Sequence, residues 1–181
     1  MLPLIVCGIK HCGKSTLGRG VADALGIPFA DTDEELEKEF CRRTGKTADC
    51  RMIFKEYGEE YFRKLEADTV RALSNHSGMV IALGGGVASN PFLSTEDLKK
   101  LGCWLYIEVA PQIAYKRILS RGLPPFLQNT GDPQQAFQEL YDRRTPRFRE
   151  LADIIYTVRE ELSIQEQTAE LMKKLREELK I

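Results

Sequence analysis

Residues 8–15, which read GIKHCGKS, decide how this chain folds. The stretch matches the pattern G-x-x-x-x-G-K-[ST], in which successive backbone N–H groups wrap a phosphate and the glycines let the chain approach it closely. A short apolar run at 2–7 precedes the stretch, and apolar residues at helical spacing follow it over 15–25. The loop therefore joins a buried strand to a helix whose positive N-terminal end faces the phosphate. ATP or GTP is the expected ligand.

Two kinds of side chain in and after this loop point to phosphoryl chemistry. Lys14 is expected to reach the β- and γ-phosphates, and Ser15 is expected to ligate Mg²⁺. The acidic residues Asp31 and Asp33 follow the next short strand. One of the two could hold Mg²⁺ through water, while the other orients or deprotonates an acceptor hydroxyl. An ordinary helix N-cap explains the same residues, so both interpretations stay open.

Predicted strands and helices alternate along the chain. Apolar runs predict five strands, at 2–7, 28–30, 79–83, 103–109 and 154–158. Helical periods and end signals predict helices at 15–25, 33–40, 47–57, 59–73, from 111 to about 122, 134–141 and 163–179, with a loop rich in Gly and Pro at 122–133. This order predicts an α/β fold with a parallel sheet flanked by helices on both faces. Ligands of such sheets bind beyond the carboxyl ends of the strands.

The composition limits the class of protein. A chain of 181 residues is long enough for one domain with a substantial core. Its net charge of −1 argues against a nucleic-acid-binding surface. The apolar run at 2–7 is too short for a membrane span and lacks the features of a signal peptide. Five cysteines, an odd number without C-x-x-C spacing, favour reduced thiols in the cytoplasm over disulfides or a zinc site.

Three further motifs indicate a second ligand. Residues 84–86 are three glycines after the third strand, where a ligand can touch backbone, although a tight turn explains them equally well. Arg63 and Glu66 lie three residues apart on a helix, which suits either an oriented carboxylate-binding arginine or a surface ion pair. The basic run at 143–146 binds an anion if it lies beside a pocket and is otherwise a solvated face.

Taken together, these motifs resemble the shikimate kinase family. The matching segments are GIKHCGKST (8–16), PFADTD (28–33), TGKTADCRMIFKEYGEEYFRKLE (44–66), VIALGGG (80–86) and LYDRRTPRFRELAD (140–153). The resemblance implies a three-layer P-loop fold like that of nucleoside-monophosphate kinases, with a five-stranded parallel sheet, shikimate-binding helices at about 32–63 and a mobile lid at about 118–133. It also implies transfer of the ATP γ-phosphoryl group to the 3-hydroxyl of shikimate, with Mg²⁺, in the common route to aromatic amino acids.

The resemblance also assigns roles to individual residues of a single domain over 1–181. The expected ATP-binding set is His11, Cys12, Gly13, Lys14, Ser15, Thr16, Arg117, Arg121 and Arg159, with Ser15 and Asp31 supporting Mg²⁺. The expected shikimate-binding set is Asp33, Arg63, Gly84, Gly85, Gly86 and Arg144, with Lys14, Asp33 and Arg121 as the catalytic residues and Asp33 as the base. ATP and shikimate are the expected partners, without nucleic acid or membrane, and a monomer is the working expectation.

Three positions depart from the family pattern. The family has an arginine, in R-P-L-L, where this chain has Pro124, and that arginine neutralises the transferring phosphate. Arg121, three residues earlier, is the expected replacement. His11 stands where the family favours glycine, and a positive φ there would strain a histidine. Arg147 replaces an apolar residue, for which the sequence offers no explanation.

Other functions share some of these features. A gluconate-type kinase has the same phosphate loop and fold but no evident need for both Arg63 and Arg144, and a nucleoside-monophosphate kinase also needs an anion pocket. A nucleotide-binding switch or an inactive paralogue is supported only by the altered lid. No guanine-selecting N-K-x-D stretch is present in the sequence, which argues against a GTPase switch.

Overall fold

A five-stranded parallel sheet forms the centre of the protein. The computed structural model describes residues 2–128, 130–158 and 162–180. The strands are β1 (Leu4–Cys7), β2 (Phe29–Asp31), β3 (Val80–Ala82), β4 (Cys103–Val109) and β5 (Ile154–Val158). They lie in the order β2-β3-β1-β4-β5, and every neighbouring pair is parallel. The α/β fold predicted from the sequence is confirmed.

Helices connect the strands. They are α1 (Lys14–Leu25), α2 (Thr32–Thr44), α3 (Cys50–Ser74), α4 (Thr95–Lys100), α5 (Pro111–Arg121), α6 (Pro125–Gln128), α7 (Pro133–Leu151) and α8 (Ile164–Leu179), with a 3₁₀ turn at Val87–Ser89. Among the described residues, no helix combines the length and the apolar character needed to cross a membrane.

Both faces of the sheet are covered, as parallel sheets require. Leu4 and Val6 of β1 point into one core, which α1, α5 and α8 complete, while Ile5 and Cys7 point into the other, which α3, α4 and the end of α7 complete. This alternation along a fully buried strand gives the three-layer arrangement. Because β1 lies at the centre of the sheet, the loop that follows it opens at the middle of the sheet edge.

A third, smaller apolar cluster joins α2 to α3. It consists of Leu36, Phe40, Ile53, Phe62 and Leu65. Residues 50–74 are continuous in hydrogen bonding but contain a break at Gly58, whose φ of 82° and ψ of 168° are not helical. Two helical segments were predicted on either side of this glycine, and the break confirms them. The first segment begins at Cys50, after an Asp49 cap, rather than at the predicted residue 47.

Three other elements differ from the sequence-based expectation. Helix α7 continues to Leu151 through Pro146, because burial of Phe148 and Leu151 outweighs the one backbone hydrogen bond that proline removes. Helix α4 was not predicted, although its capping box of Ser94 and Asp97 is a readable signal. The predicted loop at 122–133 contains the one-turn helix α6.

Candidate active site

The phosphate loop has the backbone that its glycines predict. Gly8 has φ 147°, and a Cβ at this position would lie 2.7 Å from both Cys12 Sγ and Ile107 O. Gly13 has φ 102° and directly precedes α1, so the first free N–H groups of that helix face the loop. The Lys14 ammonium donates to the Ile9 carbonyl oxygen over 3.1 Å, which folds the side chain along the loop. This is an anion-binding cradle with one lysine at its rim.

A tight turn shapes the part of the loop before Gly13. The Cys12 N–H donates to the Ile9 carbonyl oxygen at 3.2 Å, and His11 within this turn has φ 63°. A histidine in the left-handed region is strained by about 1 kcal/mol or more. The strain considered for His11 from the sequence is therefore present in the structure.

Ser15 and Asp31 meet beside the loop. The Ser15 hydroxyl donates to Asp31 Oδ2 at 2.5 Å, and Asp31 Oδ1 accepts from the Asp33 N–H at 3.0 Å as the cap of α2. Hydroxyl and carboxylate oxygens are ligands that Mg²⁺ prefers, and Mg²⁺ usually takes only one or two from protein and the rest from water and phosphates. This pair fits such an ion. The two sequence interpretations of the acidic turn are thus compatible, since Asp31 caps the helix with one oxygen and meets Ser15 with the other.

Asp33 lies where the ends of β2 and β3 meet. Its carboxylate is open to the cleft but otherwise surrounded by protein, and burial, followed by the nearby Asp31 carboxylate, raises the pKa of Asp33 to about 6. The Lys14 ammonium opposes this shift. A carboxylate with a pKa near 6 is closer than an ordinary aspartate, at 3.8, to the value near 7 at which proton acceptance is most efficient at neutral pH. Asp33 is therefore suited to accept a proton from a hydroxyl.

Each glycine of the triplet makes room for one charged side chain. A Cβ at Gly84 would clash with Asp33 Oδ1, one at Gly86 would lie 2.5 Å from Arg63 Nη1, and one at Gly85 would lie 3.4 Å from Arg144 Nη1. The Gly84 N–H donates to Thr32 Oγ1 at 2.7 Å, which ties the triplet to the start of α2. The structure thus brings Asp33, Arg63 and Arg144 together around a stretch of bare backbone.

A buried network holds Arg63. Its Nη1 donates to Glu66 Oε2 at 2.9 Å, and Glu66 is only 4% exposed. Asn90, which is 2% exposed, donates to both the same carboxylate oxygen and the Arg63 carbonyl oxygen, each at 2.8 Å. The pair is therefore an oriented arginine rather than a surface ion pair. Asn90 was not found from the sequence, where a single asparagine after a 3₁₀ turn gives no signal.

Arg144 extends the same end of the site. It lies on α7, and burial, followed by the nearby Arg63 and Arg143 guanidinium groups, lowers the pKa of Arg144. Two cations that crowd each other in a partly desolvated place are stabilised when an anion binds between them. A carboxylate is an anion that two guanidinium groups can hold in a fixed orientation.

Arg147 receives an explanation from the structure. Its guanidinium donates to the Ala88 carbonyl oxygen at 3.1 Å, to Thr95 Oγ1 at 2.8 Å and to Glu150 Oε2 at 2.7 Å. These contacts tie α7, one turn after Arg144, to the 3₁₀ turn that follows the triplet and to the first residue of α4. An apolar side chain at this position could make none of these hydrogen bonds.

Of the remaining predicted ATP-binding residues, Arg117 is the one whose side chain the structure describes. Arg117 Nη1 donates to the Cys12 carbonyl oxygen at 3.3 Å, which brings α5 against the phosphate loop. Arg121 is the last residue of α5, and its side chain lies outside the described part of the structure. Arg159 also lies outside the described residues.

One cleft of about 1010 Å³ connects the phosphate loop with Asp33, Arg63 and Arg144. Its wall contains the phosphate loop at one end, Arg63 and Arg144 at the other, and Asp33 between them. It also contains two cations that the sequence analysis did not single out, Lys10 and Arg51. The phosphate-loop pattern specifies neither of them. Lys10 is one of its undefined x residues, and Arg51 lies outside it.

The fold and the site together define a P-loop phosphotransferase: a parallel sheet with a phosphate cradle after its central strand and an acceptor pocket beside it. A family model described as shikimate kinase matches residues 10–180. The chain is 36% identical to a shikimate kinase of Histophilus somni over 93% of this chain and 89% of that protein. It is 39% identical to a shikimate kinase of Cupriavidus pinatubonensis over 84% of this chain and 75% of that protein.

A solved structure gives the same result. The shikimate kinase from Acinetobacter baumannii in complex with shikimate superposes with a TM-score of 0.80 at 30% identity, covering 99% of this chain and 94% of that chain. This chain belongs to the shikimate kinase family. The resemblance stated from the sequence is confirmed, and with it the ATP-using kinase activity.

Proposed function

We propose that this chain transfers the γ-phosphoryl group of ATP·Mg²⁺ directly to the 3-hydroxyl of shikimate. The observation that carries the proposal is the shared cleft, whose phosphate cradle and arginine-rich end lie on either side of the Asp33 carboxylate. Shikimate, a cyclohexene ring with three hydroxyls and a carboxylate, has the groups that this arrangement can bind. The geometry suits an in-line displacement because donor and acceptor approach from opposite ends.

At the donor end, the loop amides and Lys14 bind the phosphates, together with residues 11–16 of the cradle. Ser15 and Asp31 are the residues that would hold Mg²⁺, directly and through water. Mg²⁺ when bound supplies charge neutralisation at the β- and γ-phosphates. Arg117 packs toward the nucleotide from α5, and Arg159 is proposed to border the base.

At the acceptor end, Arg63 and Arg144 bind the shikimate carboxylate, and Gly84, Gly85 and Gly86 let the ring rest on backbone. Asp33 binds the hydroxyls and accepts the proton of the attacking one. Phosphoryl transfer needs little covalent assistance, so positioning and charge neutralisation account for most of the rate. Two arginines with a partly desolvated carboxylate would contribute several kcal/mol.

We also propose that the chain forms one domain and that residues 118–133 act as its lid. The lid closes over the cleft to exclude water and limit ATP hydrolysis. Leu127 of this segment lines the cleft, which supports contact with the ligands. A cytoplasmic location is proposed as well, supported by five cysteines that are free thiols. A monomer binding only ATP and shikimate is the proposed working state.

A coupled ADP-release assay tests the proposal. The chain is assayed with ATP·Mg²⁺ alone and with shikimate, gluconate or AMP as acceptor, and a Lys14→Met variant serves as the control for contaminating kinases. We expect ADP release that depends on shikimate and exceeds the release with the other acceptors. Turnover with gluconate or AMP but not shikimate, or ADP release that no acceptor increases, would contradict the proposed function.

A further inference from the structure

The segment that follows α5 lacks positive charge. From residue 122 to residue 133 the sequence contains neither lysine nor arginine, and Leu127 is the residue of this segment that lines the cleft in the described part of the structure. A phosphoryl group in transfer spreads negative charge over its three equatorial oxygens, and a cation besides the loop lysine often stabilises that charge. The fixed walls of the cleft are therefore the place to look for such a cation.

Among the described residues, six lysines and arginines line the cleft: Lys10, Lys14, Arg51, Arg63, Arg143 and Arg144. Arg63 is bound to Glu66, and Arg144 and its chain neighbour Arg143 belong to the acceptor end on α7. Lys14 belongs to the phosphate cradle. Lys10 and Arg51 remain, and the proposed functions above give neither of them a task.

The backbone at Lys10 has a defined conformation, and the exposed Lys10 side chain lines the cleft. It is the second residue of the turn closed by the Cys12 N–H and the Ile9 carbonyl oxygen, and His11 completes the turn with its positive φ of 63°. Lys14 holds the same Ile9 carbonyl oxygen at 3.1 Å. The Ile9 carbonyl oxygen thus accepts two hydrogen bonds, which stabilise the turn. Lys10 lies at the tip of this turn, and its side chain lines the cleft. The strained backbone of His11 is therefore part of the same turn that places Lys10 beside the cleft.

The charges around Lys10 come from both ends of the cleft. Burial, followed by the guanidinium of Arg51 on α3, lowers the pKa of Lys10, the Asp33 carboxylate acts in the opposite direction, and Lys14 lowers it further. Within the described residues, neither Lys10 nor Arg51 has a carboxylate at ion-pair distance. Cations that repel one another in this way are stabilised by an anion between them. An anion at this point lies between Lys14 on the donor side and Asp33 on the acceptor side.

We propose that Lys10 is a catalytic residue whose ammonium contacts the transferring phosphoryl group, and that Arg51 is a positioning residue that faces it from α3. The inference rests on the proposed function. In this step the acceptor hydroxyl oxygen forms a bond to the γ-phosphorus, and the bond from that phosphorus to the β–γ bridging oxygen breaks. The electron pair stays on ADP, and the hydroxyl proton passes to Asp33. Lys10 donates hydrogen bonds to the equatorial oxygens and is not consumed.

The test replaces Lys10 by methionine, which keeps the length of the side chain and removes the charge. A matched control is Lys55→Met, since Lys55 is an exposed lysine of α3 that does not line the cleft. Steady-state kcat and both KM values are measured by shikimate-dependent ADP release. Binding of ADP with aluminium fluoride in the presence of shikimate reports affinity for an analogue of the transferring group. Arg121→Met is measured in parallel as the competing source of the cation.

For Lys10→Met we expect kcat to fall by roughly 100-fold, with both KM values changed by less than about threefold, and affinity for the fluoride analogue to fall in parallel. Lys55→Met should behave as wild type. A Lys10→Met enzyme with kcat within about threefold of wild type would overturn the inference, and so would a loss confined to KM for ATP. Wild-type protein without shikimate-dependent turnover would instead overturn the proposed function, and the inference with it.

Arg51→Met separates the two roles. As a positioning residue, Arg51 should lower kcat by a smaller factor than Lys10, and a combined Lys10→Met, Arg51→Met variant should be no slower than Lys10→Met alone. Fully additive losses would show that Arg51 acts independently of Lys10. A large fall in Arg121→Met with none in Lys10→Met would assign the cation to α5 and overturn the inference.

Discussion

The two ends of the cleft are built in different ways. The donor end comes from one uninterrupted stretch, residues 8–15, whose glycines, turn and helix start are encoded next to one another. The acceptor end is assembled from four separate places: the start of α2, the second half of α3, the glycine triplet and α7. The difference shows that a local sequence pattern can specify a phosphate site alone, whereas the acceptor site depends on contacts across the whole fold. Substitutions should therefore separate the two ends.

Replacing Asp33 should have the largest effect. Asp33→Asn keeps the size of the side chain but removes the proton acceptor, so kcat/KM for shikimate should fall by at least about 100-fold while ATP affinity stays near normal. The assay is shikimate-dependent ADP release, together with an ATP titration. Glu34→Gln, at the exposed neighbouring residue, is the control and should remain active. A near-wild-type rate for Asp33→Asn would remove Asp33 from the mechanism.

A single methyl group at Gly86 should damage only the acceptor end. The new Cβ would lie 2.5 Å from Arg63 Nη1 and displace the guanidinium, which should raise KM for shikimate by roughly 10- to 100-fold and leave ATP binding unchanged. Ala72→Ser, which adds one atom at an exposed position of α3 outside the cleft, is the matched control. If ATP affinity falls in step with shikimate affinity, the two ends are not separable in the way described.

The pH dependence should show the raised pKa of Asp33. Because the ionised carboxylate is the form that accepts a proton, kcat/KM for shikimate should fall by up to about tenfold for each pH unit below about 6. ATP titrates in a similar range, so the profile of Asp33→Asn, measured with a more concentrated enzyme, shows the part that belongs to the nucleotide. Wild-type and Asp33→Asn profiles with identical acid limbs would contradict the assignment.

Arg147 should matter for stability more than for chemistry. Arg147→Met removes hydrogen bonds to Ala88 O and Thr95 Oγ1, which should lower the free energy of unfolding by about 1–2 kcal/mol. KM for shikimate should rise, but less than in Gly86→Ala. Chemical denaturation gives the first number, and Arg42→Met, an exposed arginine paired within α2, is the control. Unchanged stability of Arg147→Met would show that these hydrogen bonds contribute little.

The smallest expected effect is a gain of stability when Asp33 loses its charge. The folded state holds the Asp33 proton more tightly than the unfolded chain does, so stabilisation from this group is present below pH 3.8 and is lost as the pH rises through about 6. Asp33→Asn should therefore unfold at a slightly higher temperature than wild type at pH 8 and at a similar one at pH 4. A lower melting temperature at pH 8 would contradict the raised pKa.

The sequence predicted the donor end more completely than the acceptor end. The phosphate loop, its helix and the five strands follow from glycine spacing and apolar runs that are read over a few residues. Arg63, Arg144 and the glycine triplet were all singled out from the sequence. The sequence did not show that each glycine lies against one charged side chain: Gly84 against Asp33, Gly85 against Arg144 and Gly86 against Arg63. That pairing depends on distances across residues far apart in the chain, which no local pattern contains.

Two other omissions have the same physical origin. Asn90 acts by filling a buried hydrogen-bond network between α3 and the 3₁₀ turn, and only the tertiary structure shows that its amide reaches Glu66. The predicted helix ended at residue 141, whereas α7 continues through Pro146 because the burial of Phe148 and Leu151 outweighs the local effect of the proline. Packing overrides local preference in both cases.

The break at Gly58 has a consequence for how this family of sequences can vary. In an uninterrupted helix, inserting or deleting one residue rotates everything beyond it by about 100°. Gly58, with its φ of 82°, separates the segment that carries Cys50 and Arg51 from the segment that carries Arg63. A change of length before the glycine can therefore remodel the wall of the cleft while Arg63, the arginine proposed to bind the carboxylate, keeps its direction. Because of this glycine, the first half of α3 can change in length without changing the orientation of the second half.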